Sequence, residues 1–279
     1  MTTSKIPAIN LSREDECGHL LNQTKRVPPF RSSAENTSKR LLKRNKRIAI
    51  VIPALNEEGA IHQLLGELPM DEAEWIIVVD NGSTDDTATV AKTGGALVAS
   101  EPVRGYGRAC LKGFSTACEL GAEIVVFMDG DGSDDPADLP MMLAPVVEGK
   151  AEMTIGSRVS QRAERGAIPP QARLGNWLVS HMLRLLYGAQ VHDIGSFRVV
   201  NCEVLQALHM REMTFGWPVE MLVKMARAHY RVIELPIHYR RRSHGRSKVA
   251  GTIAGSLKAA YFMLSTTLRY AWGQGDTHV

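Results

Sequence analysis

The segment Asp129-Gly130-Asp131 contains the residue types best suited to chemistry in this sequence. It follows the apolar run Ile124–Met128, which predicts a buried strand. Two carboxylates at a strand end can turn toward one hard cation, and Mg²⁺ or Mn²⁺ is usually held by carboxylates together with substrate phosphates. Asp134 and Asp135 follow closely, and without a cation such crowding is repulsive. The segment predicts a metal site, with an acidic turn as the alternative.

Polar residues also follow the first two predicted strands. Asn56 and Glu57 come after the first strand, and Asp80 comes after the second. In an open parallel sheet, ligands bind beyond the carboxyl ends of the strands, so these residues would lie at the same edge as Asp129 and Asp131. Helix capping is an alternative role for Asn56 and Glu57, but it leaves Asp80 unexplained. A base or ribose could be hydrogen-bonded there.

The elements that must position these residues alternate between strand and helix. Strands are predicted at Ile48–Ile52, where Pro53 ends the run, and at Trp75–Val79, Ala96–Ala99, Ile124–Met128 and Met153–Ile155. Helices are predicted near Gly59–Leu68, Asp85–Lys92, Gly107–Leu120 and Ala137–Val147. Such alternation predicts an α/β fold with an open, mostly parallel sheet and helices on both faces.

The second half of the chain is less regular. Helices are predicted at Leu174–Tyr187, Val219–His229 and Thr252–Tyr270, a strand begins within Asp193–Val199, and Pro236 confines Val232–Tyr239 to a sheet edge. In the last helix, one face carries the apolar residues Ile253, Leu257, Ala260, Tyr261, Leu264 and Leu268. This amphipathic helix either packs on the domain or lies in a membrane interface.

Composition excludes several classes of protein. The 279 residues are 44% hydrophobic and 23% charged, as in soluble globular proteins, and 6% aromatic content argues against a single-stranded nucleic-acid surface. Four scattered cysteines do not form a disulfide framework or a zinc motif. No charge-free apolar run is long enough to span a bilayer, and no apolar leader is present. A cytoplasmic protein is predicted, with peripheral contact at the inner face of the cell membrane as an open alternative.

The charges are distributed unevenly. Residues 1–47 carry 11 basic and 4 acidic side chains, residues 48–157 carry 5 and 19, and residues 158–279 carry 17 and 7. We predict a basic, disordered tail at 1–46, a domain at 47–250, and a C-terminal amphipathic helix and tail at 251–279. An acidic half facing an anionic ligand needs a cation between them, whereas a basic half can bind phosphate directly. The alternative is a solvated surface of mixed charge.

Other nucleotide motifs are absent from the sequence. It contains no G-x-G-x-x-G after the first strand, no GxxxxGK[ST] and no G-x-S-x-G. This disfavours a dinucleotide oxidoreductase, a P-loop NTPase and an α/β-hydrolase. Gly105-Tyr106-Gly107 is interpreted as a flexible loop.

Six segments together resemble a known family. Ile50–Glu57, Val78–Asp85 and Phe127–Asp131 resemble family 2 glycosyltransferases of the GT-A fold. Gly156–Arg158, Asp193–Arg198 and Gly245–Lys248 are similar to the polyprenyl-phosphate branch, which includes enzymes like dolichol-phosphate mannose synthase. The resemblance covers about residues 47–260 and keeps the order of the motifs.

The resemblance implies a role for each matching residue. The nucleotide-sugar would be held by Pro53, Asn56, Glu57, Asp80 and Asp129, and the metal by Asp129 and Asp131. Anionic oxygen of the donor or acceptor would be bound by Arg158, Arg173, Arg198, Arg242 and Lys248. The candidate catalytic residues are Asp193, Glu220 and Arg198.

The implied activity is inverting transfer of a hexose, from GDP-mannose or UDP-glucose, with Mg²⁺ or Mn²⁺. The expected acceptor is a polyprenyl phosphate, which is already ionised and needs guanidinium groups more than a base. A soluble or glycan hydroxyl is the alternative acceptor and would require a carboxylate base, Asp193 or Glu220, unless arginines pair with them. The remaining alternative is a non-catalytic protein that binds a nucleotide-sugar, or nucleic acid through the tail; no nucleic-acid partner is expected.

Overall fold

The computed structural model describes residues 46–69, 71–242 and 253–272. The strands are β1 (Ile48–Ala54), β2 (Trp75–Asp80), β3 (Leu97–Ser100), β4 (Ile124–Phe127), β5 (Met153–Ser157), β6 (Arg198–Asn201) and β7 (Val232–Pro236). The helices are α1 (Glu58–Glu67), α2 (Thr87–Thr93), α3 (Tyr106–Glu119), α4 (Leu139–Val147), α5 (Pro170–Tyr187), α6 (Cys202–Ala207), α7 (Trp217–Arg227) and α8 (Ile253–Ala271). A 3₁₀ turn, Pro136–Asp138, precedes α4.

The seven strands form one sheet in the order β3-β2-β1-β4-β6-β5-β7. The pairs β1–β2, β1–β4, β2–β3 and β5–β7 are parallel, and β6 runs antiparallel to both β4 and β5. This confirms the predicted α/β class with a mostly parallel sheet. The strand order reverses beside β1, and the ends of β1, β2 and β4 therefore meet at a switch point where open sheets bind ligands.

The apolar runs form strands because the sheet is covered on both faces. Within β1, Ala49 and Val51 belong to one hydrophobic cluster, whereas Ile48, Ile50 and Ile52 belong to the other. All five are at most 1% exposed. Side chains alternate between the two faces of a strand, so a continuous apolar sequence fills both layers of the core.

The first strand extends beyond its predicted end. Pro53, which we expected to stop it, pairs in register with Val79 of β2. Val51 is the last residue of β1 in register with β4, and its carbonyl accepts a bond from Met128 N. Pro53 lies two residues further on, on the same side of the strand. The ladder with β4 has ended there, so the missing N–H of Pro53 costs no ladder hydrogen bond.

The short helix α6 was not predicted. It is capped by Asn201, whose side chain accepts bonds from the backbone N–H groups of Glu203 and Val204. Asparagine before an apolar turn is a helix-start signal, but six residues are too few to show helical periodicity.

The C-terminal helix α8 packs against α5 and α7. Its buried residues are Ala259, Thr266, Thr267 and Tyr270. Leu257 and Tyr261, which belong to the predicted apolar face, are 66% and 67% exposed. Met263 and Leu264, the latter from the predicted apolar face, also pack against the core. Part of the predicted apolar face therefore contacts the domain, and part of it points outward.

Within the residues described, no helix combines the length and the apolar character needed to cross a bilayer. The predicted tail up to residue 45 lies outside the described residues, as does Lys248.

Gly113 tests how closely α3 approaches the sheet. A Cβ at this position would stand 2.2 Å from Val51 Cγ1 and 2.9 Å from Val79 Cγ2. We expect Gly113→Ala to lower the free energy of unfolding by about 1–3 kcal/mol, because both neighbours are buried strand residues that cannot move aside. Chemical denaturation measures the change.

Gly66 in α1 provides the matched control. It is exposed, and nothing lies within 4 Å of a Cβ added there. Gly66→Ala should raise stability by about 0.5–1 kcal/mol through helix propensity alone. Equal effects of the two substitutions would contradict the close packing of α3.

Candidate active site

Two carboxylates lie just beyond the end of β4. Asp129 Oδ1 accepts a hydrogen bond from the Tyr106 hydroxyl at 3.2 Å. Asp131 is buried, and its Oδ1 accepts bonds from Ser133 N at 2.9 Å and Ser133 Oγ at 2.5 Å. Burial and the neighbouring Asp131 charge raise the pKa of Asp129 to about 6. Negative charge is therefore concentrated here at an energetic cost.

Asp134 adds a third carboxyl group to this cluster. It is fully buried; its Oδ2 accepts bonds from Asp129 N and Ser196 Oγ, each at 3.3 Å. Its Oδ1 has no hydrogen-bond partner. Burial, followed by Asp129 and Asp131, raises the pKa of Asp134 well above its usual range. A buried carboxyl oxygen without a hydrogen-bond partner is costly unless a ligand, an ion or a proton binds it.

The donor set at this position fits a hard divalent cation. Carboxylate oxygens are the ligands that Mg²⁺ and Mn²⁺ prefer. Among the described residues, no group of three or more Asp, Glu, His or Cys side chains converges in metal-binding geometry. Asp129 and Asp131 would therefore hold the ion together with water and oxygens of a ligand, as is usual for Mg²⁺.

The loops after β1 and β2 are joined by hydrogen bonds. Asn56, in a left-handed conformation with φ of 51°, donates from its N–H to Ser83 Oγ at 3.0 Å. Its Oδ1 accepts from Thr84 N at 2.8 Å, and Asp80 Oδ1 accepts from Ser83 N at 3.0 Å. Asn56 and Asp80 are thus brought together at the edge where the sequence predicts them.

Arg242 joins the first loop to the carboxylate cluster. Its Nη1 lies 3.0 Å from Glu57 Oε1, and its Nη2 lies 2.7 Å from Asp131 Oδ2. Glu57 is buried next to the second loop, and its N–H donates to Thr87 Oγ1 at 2.8 Å. The guanidinium neutralises one carboxylate that a cation would use.

Asp193 is fully buried and engaged by Arg158. Arg158 N and Nε donate to Asp193 Oδ2 at 2.6 and 2.9 Å, and Nη2 donates to Oδ1 at 2.7 Å. Burial alone would raise the pKa of Asp193, but the Arg158 charge and these hydrogen bonds hold it below its usual value. The Tyr239 ring lies beneath the guanidinium, 5.4 Å from Cζ. The geometry makes this pair a structural clamp.

Glu220 is also fully buried in α7. Its carboxylate accepts bonds from Arg211 N, Glu212 N and the Tyr270 hydroxyl. Lys224 Nζ completes the set at 2.9 Å. These contacts tie the loop 211–216 to α7 and α8. Glu220 therefore supports this loop, and none of these contacts joins it to the carboxylate cluster.

The remaining basic candidates are placed differently from one another. Arg198 is 1% exposed; its Nε donates to Gly195 O and its Nη1 to Pro218 O, both at 2.8 Å. Burial lowers its pKa to about 10. Protein covers this guanidinium and does not present it to a ligand at the surface. The sequence predicted that Arg198 would bind anionic oxygen of the donor or acceptor. Arg173 is exposed on α5.

The structure adds Tyr106 to the residues around the cluster. Gly105-Tyr106-Gly107, expected as a flexible loop, is the start of α3. A Cβ on Gly107 would stand 2.2 Å from Glu212 O, so only glycine allows the loop 211–216 to approach. Tyr106 stacks on Phe215 of that loop, with 6.4 Å between ring centroids. The two flanking glycines were the signal that could have indicated this close approach.

Replacing Asp193 tests the clamp against a role in proton transfer. We expect Asp193→Asn to lower the free energy of unfolding by about 3 kcal/mol, because the partly buried guanidinium of Arg158 loses its fully buried counterion. The folded-state pKa lies below the usual 3.8. The contribution is therefore present above about pH 4 and declines as the pH falls through the folded-state pKa. Urea denaturation between about pH 3 and about pH 7 measures this contribution.

Glu152 offers a matched control. It pairs with Arg231 at 2.5 Å, but the Arg231 side chain is 59% exposed. Glu152→Gln should cost less than about 1 kcal/mol. A large loss of kcat in Asp193→Asn with unchanged stability would instead indicate a proton-transfer role.

Removing Arg242 tests its competition with a cation. We expect Arg242→Gln to tighten Mn²⁺ binding to the donor-free protein by about tenfold, since Asp131 no longer has to exchange a salt bridge for the ion. Arg240→Gln is the control, because Arg240 pairs with Glu67 and Asp135 instead. Calorimetric titration with Mn²⁺ measures both variants. Unchanged or weaker binding in Arg242→Gln would contradict the competition.

Comparison with known proteins shows the family of the chain. The Glycosyl transferase family 2 domain matches residues 49–208. An uncharacterised glycosyltransferase of Mycobacterium tuberculosis is 40% identical over 213 residues, covering 76% of this chain and 94% of that protein. An undecaprenyl-phosphate mannosyltransferase of Micrococcus luteus is 31% identical over 221 residues, covering 75% and 90% of the two chains.

A solved structure has the same fold. Glucosyl-3-phosphoglycerate synthase from Mycobacterium tuberculosis, in complex with Mn²⁺ and UDP-glucose, superposes with a TM-score of 0.67 at 22% sequence identity. The match covers 87% of this chain and 85% of that one. It identifies the sheet and its helices as a GT-A fold. Together with the domain match, it leads to one conclusion: the chain is a glycosyltransferase that belongs to family 2.

Proposed function

We propose that this enzyme transfers a hexose from a nucleotide-sugar to a polyprenyl phosphate, with Mg²⁺ or Mn²⁺ at Asp129 and Asp131. Membership of family 2 supports nucleotide-sugar transfer. The similarity to an undecaprenyl-phosphate mannosyltransferase of Micrococcus luteus supports a polyprenyl-phosphate acceptor. The donor is GDP-mannose or UDP-glucose.

The choice of acceptor rests on the contacts of the two candidate bases, because both carboxylates are already paired within the protein. Asp193 is clamped by Arg158, and Glu220 is saturated by backbone N–H groups, Tyr270 and Lys224. A hydroxyl acceptor needs a carboxylate to take its proton. A phosphate monoester has a second pKa of about 6 and is already ionised near neutral pH. The site therefore suits an acceptor that needs no base.

The donor would lie across the ends of β1, β2 and β4. Asn56 and Asp80 offer hydrogen-bonding groups for the base and ribose, and Pro53 and Glu57 border the same edge. The divalent cation, when bound, neutralises the diphosphate and makes it a better leaving group. Asp129 and Asp131 would hold it there, and the hydroxyl of Tyr106 donates a hydrogen bond that orients Asp129.

The acceptor phosphate would be met by basic groups of the second half. Arg173 is exposed on α5, and Arg242 reaches the carboxylate cluster from the segment that precedes Lys248. Positive side chains orient the acceptor oxygen for in-line attack at the anomeric carbon, opposite the departing diphosphate. The enzyme's contribution is alignment and charge neutralisation, which are large factors in group transfer.

A transfer assay with paired acceptors tests the proposal. GDP-mannose and UDP-glucose are each supplied with Mn²⁺ or Mg²⁺, and with either a polyprenyl phosphate or the same polyprenol without phosphate. We expect metal-dependent transfer to the phosphate alone, because only that acceptor arrives ionised. Radiolabelled sugar in the lipid extract measures the product and identifies the donor.

Asp131→Asn is the control variant for this assay. It keeps the size of the side chain but weakens the metal site, and we expect kcat to fall by at least about 100-fold. Transfer to the polyprenol or to a soluble glycan hydroxyl would contradict the proposed acceptor. Donor binding without any transfer, unaffected by Asp131→Asn, would indicate a non-catalytic protein.

A further inference from the structure

Two neighbouring helices, α5 and α8, expose an unusual number of large apolar side chains. On α5 these are Leu174, Trp177, Leu178, Leu185 and Leu186. On α8 and directly after it they are Leu257, Tyr261 and Trp272. The two helices pack against each other, and Tyr187 donates to Thr267 O across their contact. Clustered exposed apolar residues mark interaction sites, whereas scattered ones need no explanation.

The exposed residues follow helical spacing. Leu174, Leu178 and Leu185 recur along one side of α5, while Val179 and Leu183 are buried on the other. Leu257 and Tyr261 are one turn apart on α8. Each helix therefore has one side held by the domain and another side that is apolar and open.

The charges of these helices point to the chemistry of the partner. Neither α5 nor α8 contains an aspartate or glutamate. Arg173, Arg184 and Lys258 are exposed on them, whereas Arg269, also exposed, pairs with Glu212. Cationic groups mixed with Trp, Tyr and Leu are typical of helices that lie in a membrane interface, where anionic headgroups meet the cations and the rings sit at headgroup depth.

A second copy of this chain fits the surface less well. In a symmetric dimer the same face would meet itself, and its cations would oppose each other without acidic partners from either helix. Anionic lipid supplies the opposite charge and an apolar phase at the same time. The observations therefore favour a bilayer over self-association.

We propose that α5 and α8, with Trp272, form a docking surface for an anionic lipid bilayer. The surface is adjacent to the site, because Asn176 of α5 accepts a bond at 2.9 Å from the N–H of Ile194, next to the clamped Asp193. This inference deepens the proposed function by placing the enzyme where a polyprenyl phosphate resides. Docking itself depends on lipid charge and apolar contact and requires neither donor nor acceptor.

Vesicle flotation tests the docking surface with the full chain. Vesicles of phosphatidylglycerol and phosphatidylcholine are compared with vesicles of phosphatidylcholine alone, without donor or acceptor. We expect binding to the anionic vesicles and at least tenfold weaker binding by Trp177→Gln/Trp272→Gln. Leu97→Gln/Val103→Gln is the matched control, since both residues are exposed but lie at and after β3. It should bind like the parent protein.

The charge contribution is tested separately. Arg184→Gln/Lys258→Gln should weaken binding to anionic vesicles by about fivefold for each charge removed. Lys92→Gln/Lys150→Gln removes the same charge from exposed positions elsewhere and should have a smaller effect. Brominated phosphatidylcholine should quench tryptophan fluorescence of the parent protein in mixed vesicles, and this quenching should be lost in Trp177→Gln/Trp272→Gln.

Two results would overturn the proposal. If Trp177→Gln/Trp272→Gln binds vesicles as tightly as the parent, a different part of the chain carries the binding. If the parent ignores vesicles and forms a dimer that this variant dissociates, the surface serves self-association. Neither result bears on transfer to a short, water-soluble prenyl phosphate, so failure of docking and failure of the proposed function are distinguishable.

Discussion

The crowding of Asp129, Asp131 and Asp134 at the end of β4 is the constraint on which the site depends. Asp131 and Asp134 are buried and Asp129 is half-buried beside them, so the three carboxyl groups are stable only if cations or protons balance them. In this structure Arg242 balances Asp131, while the pKa of Asp129 is raised to about 6. A divalent ion brought by an anionic donor would supply the same balance. In the proposed function, the repulsion among these carboxyl groups would favour binding of metal and donor.

Basic residues of the second half of the chain neutralise many of the acidic side chains within the protein. Arg240 and Arg242 bind acids of the first half, and Arg231 binds Glu152. Arg158 instead clamps Asp193 from its own half. The antiparallel pairing of β6 with β5 makes this possible, because it brings the start of β6 and the residues before it beside the end of β5, which Arg158 follows. The uneven charge distribution, which predicts ligand binding from the sequence, therefore also neutralises charge within the protein. Fewer cations remain for the acceptor than the number of basic residues suggests.

Sequence patterns located most of the fold because the apolar runs are continuous and their ends are marked. The four strands β1 to β4 were each predicted to within two residues at either end, and Asp129 and Asp131 were placed at a strand end. Patterns could not show contacts between residues that are distant in sequence. Arg198 and Glu220 have the right residue types, yet contacts with Pro218 and Tyr270 bury them.

The sequence by itself determined the alternation of elements, the acidic strand end and the family, because these reside in local runs and motifs. Only the tertiary structure decided which charged groups are free, since pairing depends on which loops meet at the switch point. It also decided which side of α8 faces outward. Both helical faces carry apolar or small residues, and the side that packs is selected by the shape of α5 and α7, with Tyr270 reaching Glu220.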